Sequence, residues 1–283
     1  METVTPQVEL DQNPPDRRVR RRELPNRAFA VLIAAAAVVC FVACKQALVV
    51  GEYQCPKDDA AGGIPPSDTD PITLPWETGF EEQFCDYQRV AGYCYSWPPV
   101  EFRVVRSPVH SGQYAAEITV TTGIEEQPQG RCVRQGILPT EAYYGVWFYI
   151  PETATNAGLW NLLHFQGGTA DKASLHGLWD VSLANGPTGA LNLVLFSFQN
   201  GTIGNSPPIP IGRWFHVVLY LKRAKDRSGA VALYLNEERV VEATNLVTDD
   251  SDWGQWYVGN LASDLQPPKS IVYLDDITIR STL

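Results

Sequence analysis

The chain has 283 residues, of which 45% are hydrophobic, 11% aromatic and only 19% charged, a composition that excludes a collagen, a coiled coil and a wholly disordered polypeptide. Its formal charge is −10, and residues 46–283 alone carry 15 basic against 27 acidic groups, a net of −12. An acidic body with no basic stripe excludes nucleic acid as a partner, because phosphate binding needs clustered Lys and Arg.

The first predicted element is an address. Residues 1–27 are polar and end in a basic run from Arg17 to Arg27, after which Ala28 to Cys44 reads AFAVLIAAAAVVCFVAC without one charge. A basic segment followed by an apolar one predicts export. As a helix this stretch reaches roughly 25 Å, short of the roughly 30 Å hydrocarbon core. Its end, Phe41-Val42-Ala43-Cys44, resembles a bacterial lipoprotein lipobox. That resemblance implies diacylation of Cys44 and a lipid-anchored protein of the cell envelope, since two acyl chains hold stably where one does not. A cleaved signal and a signal-anchor helix are the alternatives. Residues 45–75 are rich in Pro, Gly, Asp and Ala, show no period, and predict a flexible linker.

If Cys44 is lipidated and Cys40 leaves with the signal, Cys55, Cys85, Cys94 and Cys132 remain. An even number in an exported chain suggests disulfides, with three possible pairings. The short loop favours Cys85–Cys94.

From Trp76 to Leu283 the chain shows short runs of period-two alternation, punctuated by Gly, Pro and Asn, with no useful helical stripe; one all-β domain, expected to be a monomer, follows. Parity sorts the faces, because successive strand side chains alternate. Over 143–150, Tyr144, Val146, Phe148 and Ile150 form a core row, with Tyr143, Trp147 and Tyr149 opposite. Over 160–166, Leu163 and Phe165 are apolar, with Trp160, Leu162, His164 and Gln166 opposite. Over 214–222, Phe215, Val217, Leu219 and Leu221 face inward, with Trp214, His216, Tyr220 and Lys222 opposite. A face of Trp, Tyr, His and Gln suits polysaccharide, whose C–H faces stack on aromatics while hydroxyls take hydrogen bonds. In the last strand, Asp275 shares parity with Ile271, Tyr273, Ile277 and Ile279, and so predicts a buried carboxylate that must be satisfied. Thr248 to Asp252 reads as a solvated acidic turn.

Several segments carry a family resemblance: WETGFEE (76–82), RVVRSPVHSGQYAAEITV (103–120), GRWFHVVLYLKRAKDRSGAVALYLNEERVVE (212–242), WYVGNLAS and IVYLDDITIRS. Together they resemble the concanavalin A-like lectin and glucanase superfamily, which implies a two-sheet antiparallel jelly-roll sandwich. Similar carbohydrate modules often bind a structural Ca²⁺ between their opening and closing strands, which implies Glu77 or Glu81 with Asp275 as hard oxygen ligands; hydrogen bonding of Asp275 to backbone N–H groups is the other expectation. WNLLHFQGG (160–168) is similar to the strand that bears His and Gln in heparin lyase I-like and alginate lyase-like enzymes. That similarity implies Arg134 as neutraliser of a uronate carboxylate with Gln166 helping, His164 as base, Tyr149 or Tyr143 as proton donor, and Tyr257 as a retained site tyrosine. The arginine-glutamate-arginine strand and the Tyr-Lys-x-Gly-x-Tyr strand of such lyases are absent, and so is the paired-carboxylate strand of glucanases. The sequence therefore favours a tethered carbohydrate-binding module, with Tyr143, Trp147, Trp160, His216, Tyr220 and Tyr257 as its ligand face. A uronate-cleaving lyase is the alternative, and a structural or adhesive envelope protein a third reading.

Overall fold

The computed structural model describes residues 69, 71–88, 92–97, 99–124 and 126–283. The expected signal segment, Cys44, Cys55 and most of the expected linker lie outside them. No helix among the described residues is long and apolar enough to cross a membrane.

Two antiparallel sheets make the sandwich expected from the alternation. The eight-stranded sheet runs in the order β14 (Glu238–Leu246), β13 (Gly229–Leu235), β12 (Trp214–Lys222), β6 (Glu141–Tyr149), β17 (Lys269–Arg280), β4 (Ala115–Thr121) and β3 (Glu101–Val105), with β1 (Trp76–Thr78) also paired to β17. The seven-stranded sheet runs β11 (Gly201–Pro208), β10 (Leu191–Ser197), β9 (His176–Asn185), β8 (Trp160–Gly168), β15 (Trp253–Ala262), β5 (Gln129–Gly136) and β2 (Gly92–Ser96). A short pair, β7 (Thr155–Asn156) and β16 (Leu265–Gln266), and one helical turn, α1 (Cys85–Gln88), complete it. Pro71 bridges to Ile137 and Ile72 is buried, so the folded domain begins a few residues before Trp76.

The core is the apolar row of each sheet facing the other. Tyr144, Val146, Phe148, Phe215, Val217 and Leu219 from one sheet meet Leu163, Phe165, Val181, Leu193, Leu195, Trp256 and Val258 from the other, all essentially inaccessible. Each large apolar side chain so buried contributes about 1.5–3 kcal/mol. Aromatic edges interlock at the centre: Tyr144 meets Phe165 and Trp256 edge-on at 4.9 and 5.0 Å between centroids.

Two sequence expectations fail for identifiable reasons. Cys94 is bonded to Cys132, not to Cys85. The two stand directly opposite in β2 and β5 with Cα atoms 4.0 Å apart, so register rather than loop length selects the pair. Closing this 38-residue separation stabilises the fold by about 4 kcal/mol in the chain-entropy account. Cys85 is also disulfide-bonded.

The expected alternation of β17 breaks at a bulge. Between Asp275, opposite Trp147, and Thr278, opposite Gly145, β17 carries one extra residue, and Asp276 takes a left-handed φ of 44° to accommodate it. Tyr273 and Asp275 therefore lie on the outer face of the eight-stranded sheet while Val272 and Leu274 fill the core. Asp275 is still inaccessible, because the loop through His110 covers it: its Oδ2 accepts from the N–H groups of His110 (2.9 Å) and Ser111 (3.2 Å), and its Oδ1 from Asp276 N–H (2.8 Å). Of the two expectations for Asp275, hydrogen bonding to backbone N–H groups is the one observed. Glu77 is held by Arg280 at 3.1 Å, and Glu81 accepts the N–H groups of Gln113 and Tyr114. Among the described residues no group of three or more His, Cys, Asp and Glu gathers to hold a metal.

Burial pushes the Asp275 carboxyl up from 3.8 to about 6, against the pull of the three N–H donors. A carboxyl raised in the folded state stabilises below its unfolded value and loses that contribution as pH rises through the folded one. Stability should therefore fall by on the order of 2–3 kcal/mol between about pH 4 and pH 6. Denaturant midpoints measured across that window should show the slope in the parent and lose it in Asp275→Asn, whose lower baseline reflects an amide facing an N–H donor. An unchanged slope in the variant would assign the dependence to other groups.

Candidate active site

The outer face of the seven-stranded sheet carries polar side chains in cross-strand rows. His164 of β8 stands directly opposite Tyr257 of β15 on one side and Asp180 of β9 on the other. One step along, Gln166 stands opposite Gln255, which stands opposite Gln135 of β5. Directly opposed residues on neighbouring strands share a face, so these six groups are assembled by register alone.

Hydrogen bonds knit them together. His164 Nδ1 and Asp180 Oδ1 are 2.6 Å apart, which leaves Nε2 as the ring nitrogen open to a ligand. Asn161 donates from Nδ2 to the same Asp180 oxygen (2.9 Å), to the Leu163 carbonyl (2.9 Å) and to Ser182 Oγ (3.2 Å), while its Oδ1 accepts from Arg131 Nη2 at 2.7 Å. The Tyr257 hydroxyl donates to Gln255 Oε1 (2.6 Å) and lies 3.2 Å from Gln166 Oε1; Gln255 Nε2 in turn donates to Gln135 Oε1 at 3.0 Å. The Arg131 guanidinium lies 5.7 Å from the centroid of the Tyr257 ring. Arg131, Asn161, Asp180, Gln135 and Gln255 are all buried. Placing so many polar groups where apolar ones would pack more cheaply is a cost that a folding-only surface has no reason to carry.

Arg134 does not belong to this face. It stands opposite Trp256 and shares the core side with Cys132, its guanidinium 6.0 Å from the centroid of Trp76 and its Nη1 donating to the Gln135 carbonyl at 2.6 Å. Burial lowers its pKa to about 10. Arg131, three residues earlier and so on the opposite face, occupies the place expected for Arg134. The odd row Gln129, Arg131, Gln135 is polar apart from Val133, and that signal was available in the sequence.

Trp160 is not a ligand platform either. An extra residue in β8 between Asn161, opposite Ser182, and Leu163, opposite Val181, reverses the alternation. Trp160 thereby enters the core, wholly inaccessible, with its Nε1 donating to Asn260 Oδ1 at 3.0 Å. Asn161 takes the outer position instead.

Tyr149, Tyr143, Trp147, His216 and Tyr220 lie on the outer face of the other sheet, across the whole sandwich from His164. Tyr149 packs against Trp214 and Tyr273, and Tyr143 against Tyr220 and Tyr234, so neither reaches the site. Trp147 is covered on both ring faces, by His110 stacked at 3.8 Å and His216 at 4.8 Å between centroids. A sugar has no open face there. Trp147→Ala is therefore expected to leave affinity for any glycan within about twofold by calorimetry while reducing stability; a tenfold loss of affinity would restore Trp147 as a platform. Of the expected ligand residues, Tyr257 alone joins His164 and Gln166.

Two antiparallel sheets around one core define a concanavalin A-like jelly roll, a fold that by itself assigns no function. Within that class the chain belongs to the polysaccharide lyase family, whose profile matches residues 76–278. Its backbone is similar to that of an endo-β-1,4-glucuronan lyase from the fungus Trichoderma reesei, at 19% identity over 67% of this chain and 90% of that one, with a TM-score of 0.54. It is also similar to alginate lyase Aly36B in complex with an alginate trisaccharide, at 11% identity over 74% of this chain and 98% of that one, with a TM-score of 0.50. At these identities the likeness shows the shared fold. A search of curated proteins finds no match.

Proposed function

We propose that the protein is a lyase that cleaves a uronate-containing polysaccharide by β-elimination, reversing the preference for simple binding drawn from sequence. The observation that carries the reading is the His164–Asp180 pair with Tyr257 directly across from it, on a chain of the polysaccharide lyase family.

The geometry supports the following roles. Asp180 holds the proton on His164 Nδ1, so Nε2 presents a lone pair that removes the C5 proton of the uronate. The electrons form the C4–C5 double bond as the C4–O bond breaks, and the Tyr257 hydroxyl supplies the proton that the departing oxygen takes. Gln166 sets its Oε1 3.2 Å from the Tyr257 hydroxyl, which leaves its NH₂ group as the donor for the substrate carboxylate. The Arg131 cation near the Tyr257 ring favours the phenolate left behind and adds positive potential to an otherwise acidic body. The enzyme would act at the cell envelope, held there by the acylated Cys44, where polymer arrives from outside.

The test is to incubate the protein with alginate, glucuronan and heparin and follow the absorbance of the unsaturated uronate. A rise on one of them supports elimination. Silence across the panel, with retention on a glycan column, would make the protein a tethered binding module.

A further inference from the structure

Beside the acid–base row, the outer face of the seven-stranded sheet ends in a cavity of about 230 Å³ that the roles above leave unused. It is lined by Gly177 and His176 of β9, by Phe198 just after β10, and by Thr248, Asp249 and Asp250 of the segment that precedes β15. Its volume lies below the roughly 300–1,000 Å³ of pockets for drug-sized ligands, and suits a single sugar ring.

The chain goes to some length to build it. Gly177 stands opposite Gln166, and a Cβ there would come within 2.7–2.8 Å of three Phe198 ring carbons, so only glycine lets that ring lie down on the sheet. The half-buried Phe198 ring meets the His164 imidazole edge-on at 5.7 Å between centroids. The opposite wall is not the solvated acidic turn expected from its sequence. Thr248 and Asp249 are buried; the Thr248 carbonyl accepts from Trp179 Nε1 at 2.7 Å, and Asp249 is paired with Arg223 Nε at 2.5 Å. Arg223 also donates to the Leu138 and Ser251 carbonyls. The wall is thus fixed in advance, which lowers the ordering cost of binding. At the rim the exposed Asp250 carboxylate accepts from His176 Nε2 at 2.7 Å and keeps further lone pairs for hydroxyl donors.

We infer that this cavity is a sugar subsite adjoining the bond-cleaving centre, in which the C–H face of one pyranose stacks on Phe198 while its vicinal hydroxyls donate to Asp250. The carboxylate of a uronate in this subsite points away from Asp249 and Asp250, since like charges repel. The inference rests on the lyase reading for the identity of the polymer, and adds a length requirement: only oligomers that extend past His164 gain the Phe198 contact.

The test uses the full chain and uronate oligosaccharides of two to five residues. Binding is read by calorimetry in a His164→Ala background, and kcat and KM are read in the parent background. Phe198→Ala should weaken the longer oligomers about 3–10-fold, raise their KM to match and leave the dimer unaffected, with kcat within about twofold. Gly177→Ala, which displaces the ring without removing it, should do the same, and Phe198→Leu guards against a folding defect by keeping an apolar group of similar reach. Affinities that match the parent at every length overturn the subsite, even if elimination proceeds. A length-dependent step that Phe198→Ala removes, in a protein that yields no unsaturated product, upholds the subsite and overturns the lyase reading. No affinity for any oligomer overturns both.

Discussion

His164→Ala should reduce turnover of the susceptible uronate polymer by about 10²–10⁴-fold while binding stays within about tenfold. The size of the effect comes from what the imidazole alone provides. Asp180 engages Nδ1, so Nε2 is the base directed at substrate, and no other imidazole shares the face: His176 is paired with Asp250 beyond Phe198, and His110 and His216 lie across the sandwich. An alanine leaves Asn161 and Arg131 in place, so the network that shapes the site survives. Retained turnover would transfer the base role elsewhere, with Tyr257 the first group to examine. Asp180→Asn provides the control for positioning. It keeps the imidazole but replaces the acceptor-only carboxylate with an amide whose NH₂ can face Nδ1 and favour the other tautomer, and its loss of kcat should exceed any change in KM.

Tyr257→Phe should lower kcat by a comparable factor, roughly 10²–10³-fold, with little change in stability. The ring and its contacts with His164 and Arg131 persist in the variant; only the hydroxyl between Gln255 and Gln166 is lost. The two amides can then find water or each other. Because the proposed loss is a proton for the departing oxygen, a substrate with a better leaving group should recover part of the rate in Tyr257→Phe and none in His164→Ala. Equal recovery in both, or in neither, would contradict the division of roles.

The fold was legible in the sequence because alternation is a local property. Tyr144, Val146 and Phe148 face inward as their spacing dictates, and so do Phe215, Val217 and Leu219. The site was legible only in part: His164, Gln166 and Tyr257 meet on one face, yet their partners Asp180, Asn161, Arg131, Gln255 and Gln135 went unseen. Two limits account for this. Extra residues at Leu162 and near Asp276 reverse the alternation, which sent Trp160 to the wrong face and Asp275 to the wrong side of its sheet. No residue type announces such a bulge in advance. The second limit is that parity says which residues share a face of one strand but not which strands share a sheet. Tyr149, Trp147 and His216 satisfy the same pattern as His164 while belonging to the other sheet. The choice of Arg134 over Arg131 was different in kind, since the polar row of β5 contained the answer.

The bond between Cys94 and Cys132 also bears on how the protein can be made. It fastens β2, an outermost strand, to β5, the strand that carries Arg131 and Gln135. In a reducing cytosol that fastening is absent, β2 can peel away, and β5 then offers a row of open N–H and C=O groups to any other chain. Cytosolic production should accordingly give aggregates and a weakened site together, whereas secretion into an oxidising compartment should yield soluble protein with both intact.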